Sequence, residues 1–195
     1  MRSNYLVLAF LFVLLGCDNN YTPKPKAFVK FDFPKKEYVS FDADCSFNFE
    51  YPVYANLIQK KDNNCFFNLD FPNQNGVLYI SYFPLNDNLE EHTEQSNYLA
   101  YKHNVIADGI SERVYRNDAL KVYGMLYEYE GEAATSAQFY LTDSVNHFFR
   151  GALYFNTEIN DSILPINLFL KQDVKRLVET FHWIDKKDVQ LLKAR

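Results

Sequence analysis

The sequence predicts a single α+β domain: an antiparallel sheet covered by two helices, an α/β/α sandwich. Three observations carry this prediction. Strand-like runs fall into two groups, within 45–83 and within 120–155. A helical stretch follows each group, and helices so placed cover an antiparallel sheet. Aromatic residues are abundant, with 18 Phe, 15 Tyr and one Trp in 195 residues, and most lie inside the strand-like runs, which assigns them to the core.

Taken in order, residues 45–58 (CSFNFEYPVYANLI) read as a strand interrupted at Pro52, because proline cannot donate to a ladder. Runs 65–71 and 77–83 are joined by PNQNG, whose Asn75-Gly76 favours a hairpin turn. The tetrads FDFP (31–34), FEYP (49–52) and LDFP (69–72) share one pattern, but their surroundings differ. They read as strands ended or bent by proline rather than as an internal repeat. Polarity rises from 86 onward, where Asn88 and Glu91 form a capping-box-like start and Gly109 a plausible stop. The stripe Leu89, Leu99, Val105 and Ile106 on this predicted helix is incomplete. Runs 120–130, 134–142 and 146–155 form a three-stranded meander. In the last helix Ile163, Ile166, Leu170, Val174, Leu177 and Phe181 recur at spacings of three and four, on one face. Asp161 or Ser162 is its expected cap, and Pro165 sits in the first turn, where proline is tolerated. The pattern resembles the small PsbP/Mog1-type sandwiches.

The amino terminus is organised differently. Tyr5 to Leu15 is an unbroken apolar stretch of eleven residues behind Arg2, too short for the roughly 20 residues of a membrane span but suited to a signal-peptide core. It ends in Leu14-Leu15-Gly16-Cys17, which resembles the lipobox of bacterial lipoproteins. There the thiol takes a diacylglyceryl group, cleavage precedes the cysteine, and the new amine is acylated, giving the two or more chains that stable anchoring needs. The alternative is an ordinary secreted chain whose first cysteine happens to be Cys17. The expected organisation is a signal peptide at 1–16, a lipid-anchored tether at 17–26, one domain at 27–184 and a charged tail at 185–195. The tether DNNYTPKPK is polar and broken by proline, and its shortness keeps the domain near its membrane. Lys24, Lys26, Lys30, Lys35 and Lys36 outnumber Asp32 and Glu37 nearby; they could meet anionic head groups, though such lysines are ordinarily solvated.

Three cysteines are an odd number for a secreted chain. Giving Cys17 to lipid leaves Cys45 and Cys65, an even pair in an oxidising compartment, where a bridge would contribute about 3 kcal/mol. Two buried free thiols are the alternative for this pair.

Without residues 1–16 the formal charge moves from −5 to −6. That mild acidity, with no basic stripe, argues against nucleic acid as a partner. The six glycines form no G-x-G and no G-x-S-x-G, so phosphate-cradling loops and nucleophile elbows are not expected. His92 and His103 share a helix face but lie about 16 Å apart along it, too far to bind one metal ion. His147 and His182 have no ligand-type spacing either, so neither metal nor cofactor is expected. Glu90, Glu91 and Glu94 suit a helix first turn, where acids complement the dipole. The most suggestive stretch is YLAYKHNVIADGI. Its Tyr98, Tyr101, Lys102 and His103 form a candidate contact patch for a protein or glycan, since Tyr is favoured at interfaces. The competing account has both tyrosines leaning on the sheet and Lys102 solvated.

Together the lipobox, YTPKPK, FDFP, CSFNFEYPVYA, CFFNLDFP, YISYFPL, YLAYKHNVIADGI and LFLKQDVKRLVETFHW resemble the gliding motility lipoprotein GldD family of Bacteroidota, from about Cys17 to Trp183. The resemblance implies an envelope lipoprotein of the gliding apparatus, periplasm-facing and associated with type IX protein secretion. It implies membrane attachment through Cys17, other envelope proteins as partners, no small-molecule substrate and no catalytic residues. The second hypothesis is an envelope lipoprotein that binds or modifies glycan, such as peptidoglycan.

Overall fold

The computed structural model describes residues 30–184, apart from 42, 61, 62, 103–106, 132, 158 and 161. The signal peptide, tether and tail assigned above, with Cys17 and His103, lie outside the described residues. The chain runs β1 (Tyr38–Ser40), β2 (Phe47–Asn48), β3 (Glu50–Pro52), β4 (Asn56–Lys60), β5 (Asn63–Phe71) and β6 (Gly76–Pro84). Helix α1 (Leu89–Lys102) follows, then β7 (Gly109–Asn117), β8 (Val122–Glu130), β9 (Ala137–Thr142), β10 (His147–Phe155), α2 (Leu164–Thr180) and β11 (His182–Trp183).

Seven strands form one antiparallel sheet in the order β4-β5-β6-β10-β9-β8-β7. Strand β10 is inserted between the β4–β6 meander and the rest. The minor pairs β1·β3 and β2·β11 close over one face. Side chains alternate across a strand. On β10, Phe149 and Leu153 face the main core, while Phe148 faces α1 through His92. The two helices therefore cover opposite faces, as the α+β sandwich requires.

The two faces differ in chemistry. The α2 face holds the main core: Phe41, Phe47, Phe49, Phe67, Phe71, Phe139 and Phe149 with Leu170, Val174, Leu177 and Phe181 of the second helical stretch. Those last four are the predicted helix positions, and fully burying each contributes about 1.5–3 kcal/mol. Ile163 and Ile166 of the same stripe are only half-buried. Under α1 the packing is smaller and more polar, built on Ala100, Tyr127, Tyr129 and Ala133.

The hairpin forms as predicted, Phe71 opposite Gly76, with a single 3-10 turn at Pro72–Gln74. The left-handed residue is Asn75 (φ 51°), while Gly76 leaves room for Leu170, whose Cδ1 a β-carbon would meet at 2.9 Å. Cys45 and Cys65 are disulfide-bonded, with Cα atoms 5.7 Å apart, and staple the approach to β2 onto β5.

Several expectations are corrected. The predicted strand 45–58 is three short strands; β3 ends at Pro52, and the chain turns before β4. FEYP and LDFP do end strands, whereas FDFP lies in extended chain outside any sheet. Gly109 does not stop α1, whose described part ends at Lys102; it opens β7. The meander therefore has four strands. Strand β7 escapes the period-2 pattern because it is an edge strand, mostly exposed, with Glu112, Arg113 and Arg116 along it. Charges on an edge discourage pairing with other chains, at the expense of the apolar signal. Helix α1 buries Ser96 and Ala100 rather than an apolar stripe, and the Asn88 side chain accepts from Asn86 N–H at 2.9 Å instead of capping the helix. Ile163, not Ser162, occupies the N-cap position of α2, without a side-chain cap. His182 belongs to β11, opposite Asn48.

Candidate functional site

The candidate patch lies on α1, and its geometry follows from how this helix is held. With little apolar surface of its own, α1 is fixed by hydrogen bonds and rings. Tyr129 Oη donates to Ala100 O at 2.8 Å, and Tyr127 Oη donates to Asn97 Oδ1. His92 is stacked between Phe83 and Phe148 at 5.0 and 5.1 Å, with Asn88 Nδ2 3.2 Å from its Nε2. Such side-chain bonds contribute about 1 kcal/mol each and specify one orientation.

That orientation turns Tyr98 and Tyr101 outward, 65% and 47% exposed. Tyr101 reaches β7, where its hydroxyl donates to the Glu112 carboxylate and its ring stands edge-on to Tyr127 at 6.4 Å. The Glu112 carboxylate raises the Tyr101 pKa, so the phenol stays a donor. Lys102, exposed, follows directly, and His103 lies outside the described residues. The structure thus brings together Tyr98, Tyr101, Lys102 and, unforeseen from the sequence, Glu112. Tyr101 leans on the sheet through Glu112 and Tyr127, and Lys102 is solvated, as the competing account expects, whereas Tyr98 stands out into solvent. Beneath them Gln138 is buried with both its amide oxygen and nitrogen unpartnered.

A second cluster, absent from the sequence reading, joins the start of the domain to α2. Asp173, buried on α2, accepts from Lys36 Nζ at 2.7 Å, Tyr38 Oη at 2.9 Å and Tyr54 Oη at 2.5 Å. Lys36 Nζ also donates to Tyr54 Oη and Phe169 O at 2.9 and 2.8 Å, and lies 3.4 Å from the Phe169 ring centroid. Every donor of the ammonium is used, which is what a half-buried charge needs. Burial lowers the Lys36 pKa against the opposing pull of Asp173, and burial followed by Asp173 raises those of Tyr38 and Tyr54. The signal for this cluster was thin: an aspartate at a helix position next to the core stripe.

Among the described residues, His92 and His147 serve packing. His147 accepts or donates at Nδ1 with Tyr82 Oη at 2.7 Å and stacks on Trp183 at 5.0 Å, while Trp183 Nε1 donates to Lys121 O. Among the described residues no three His, Cys, Asp or Glu side chains gather as a metal-ligand set, and no helix is long and apolar enough to cross a membrane.

Burial also raises the pKa of Tyr82, Tyr127, Tyr129, Tyr140 and Tyr154. A phenol whose folded pKa exceeds its unfolded value of about 10 stabilises the fold fully below that pH and loses its contribution as pH rises through the folded value. The depressed pKa values of Lys36 and Lys171 act in the opposite sense, but they are outnumbered. Stability should therefore fall above about pH 10. In an alkaline titration, the buried phenols should ionise together with loss of circular dichroism. Absorbance at 295 nm that saturates while the fold persists would contradict this.

A comparison with protein-family models gives a match described as gliding motility lipoprotein GldD, covering residues 18–183. No curated protein matched the chain. The matched span takes in the sheet, both helices, the disulfide and the tyrosine surface of α1. The chain belongs to the gliding motility lipoprotein GldD family.

Proposed function

We propose that this protein is a non-catalytic, periplasm-facing envelope component of the gliding machinery, attached through lipid on Cys17, and that it works by protein contacts linked to type IX secretion. The family match over 18–183 carries the reading. The surface of α1 supports contact as its mode: two exposed tyrosines and a lysine stand on a helix whose orientation is fixed by Tyr127, Tyr129 and His92. Rigid tyrosines bring large contact area at small entropic loss. The interior charges support the absence of catalysis, since Asp173, Lys36 and Lys171 are each tied to packing partners, Lys171 donating to Tyr129 O at 2.6 Å.

The test is a deletion strain complemented with the native gene or with Tyr98→Ala/Tyr101→Ala, made to equal protein levels. Deletion is expected to abolish surface spreading and protein export together. The double variant should impair both, and a photo-cross-linker at position 98 should capture envelope proteins. A deletion strain that spreads and exports normally defeats the proposal. Retention of the purified protein by peptidoglycan fragments, lost in the double variant, would favour the glycan reading instead.

A further inference from the structure

We infer that the surface formed by Phe31, Phe33, Leu164 and Leu168 rests on the membrane itself, its occupant being the interfacial zone of a bilayer with anionic head groups. This rests on the lipid anchor at Cys17 proposed above.

The surface is apolar where a solvent-facing one would be polar. Phe31 stacks on Phe33 at 5.9 Å and Phe33 on Phe169 at 4.4 Å, yet Phe33 remains 38% exposed. Leu164 and Leu168, one turn apart at the start of α2, are 45% and 53% exposed, and the first turn of this helix carries no acid. Leu168 directly precedes Phe169, so the leucines flank the aromatic stack around the helix. An amphipathic helix normally sets charged residues on that face.

Position and charge select the occupant. Lys30, where the described chain begins, lies thirteen residues beyond Cys17, which can span at most about 45 Å. A domain of this size is about 40 Å across. The end of the domain carrying Phe33 is thereby held within about 45 Å of the bilayer, at high effective concentration there. Leaving aside Lys36, which is paired with Asp173, residues 24–37 carry four lysines against Asp32 and Glu37, a net +2 in a chain whose charge after Gly16 is −6. Lys30 and Lys35 flank the aromatic pair with highly exposed side chains, loosely paired to Asp32 and Glu37 at 3.4 and 3.0 Å. Lysines so placed are attracted to an anionic surface. The patch is also preformed, because the Lys36–Asp173 contact holds the segment bearing Phe33 against α2. The domain would thus be fixed in orientation, with α2's first turns down and the turn between β9 and β10 at the far end of the sheet.

The test uses the full lipidated protein in vesicles of phosphatidylcholine, with or without phosphatidylglycerol. A nitroxide is placed at Leu168→Cys or, as a control, at Val145→Cys in that far turn. Flotation with the vesicles reads the anchor alone; relaxation by dissolved oxygen and by a water-soluble nickel chelate reads label depth. The label at 168 is expected to become several-fold less accessible to nickel than the label at 145, more so with phosphatidylglycerol. Phe33→Ser with Leu164→Ser should return it to water without loss of flotation. Flotation with equally wet labels at both positions overturns the inference and spares the anchor. Shielding at 168 only in native membranes would mark a protein contact and also overturns it. Loss of flotation overturns the anchor, and the inference with it.

Discussion

Phe47→Ala should lower the unfolding free energy by about 4 kcal/mol, read from urea denaturation with the disulfide intact. Phe47 comes from a strand of only two residues, yet its ring is fully buried and touches six others. Phe149 lies edge-on at 4.8 Å and Tyr82 at 5.3 Å, with Phe41, Phe181, Phe49 and Phe67 between 5.7 and 6.3 Å. These neighbours belong to the sheet, to the end of α2 and to the loop before β2, so no single element can move in to fill the void. The cost should therefore sit near the top of the range for Phe truncation. Phe47→Leu, which keeps most of the volume, should cost well under half as much. A loss below about 2 kcal/mol for the alanine variant would mean that the layer collapses, and that the ring cluster is not the rigid body its contacts imply.

Asp173→Ala should cost about 3 kcal/mol, for a different reason. The residue contributes little packing; its removal leaves Lys36 and two phenols half-buried without their common acceptor. Buried pairs lose more by breaking than by joint replacement with apolar groups. Lys36→Met combined with Asp173→Leu should accordingly be more stable than Asp173→Ala alone, which a double-mutant comparison by thermal and urea unfolding checks. Equal losses in the single and double variants would assign the effect to packing instead. The same single variant should loosen the segment bearing Phe33 and increase its proteolysis.

Which parts could be read from the sequence depended on whether one element carried its own signal. Helix α2 could be read because Leu170, Val174, Leu177 and Phe181 supply an apolar face by themselves. The hairpin could be read because Asn75-Gly76 states its own turn. The disulfide followed from counting cysteines, once Cys17 had been set aside for lipid. Strand β7 was missed because an edge strand is defined by what does not pair with it, and its Glu and Arg residues look like loop. The start of α1 at Asn88 was legible, but its end was misplaced and its apolar stripe was incomplete, because the helix is held by Tyr127, Tyr129 and Phe83, which belong to other elements. The same holds for the candidate surface. Tyr98, Tyr101 and Lys102 were found through their local chemistry, whereas Glu112 and the Lys36–Asp173 lock exist only after distant segments meet.

The placement of β10 bears on how the protein is made. Strand β6 has one neighbour, β5, until residues 147–155 are available, and the pairs from His147↔Pro84 to Phe155↔Gly76 join positions about 60 to 80 residues apart. Such long-range pairing raises contact order and slows folding, because loop closure precedes any gain from the contacts. A growing or emerging chain therefore carries an unpaired β-edge rich in Tyr and Phe until its last quarter arrives. For this protein, the vulnerable interval is the time before β10 reaches β6.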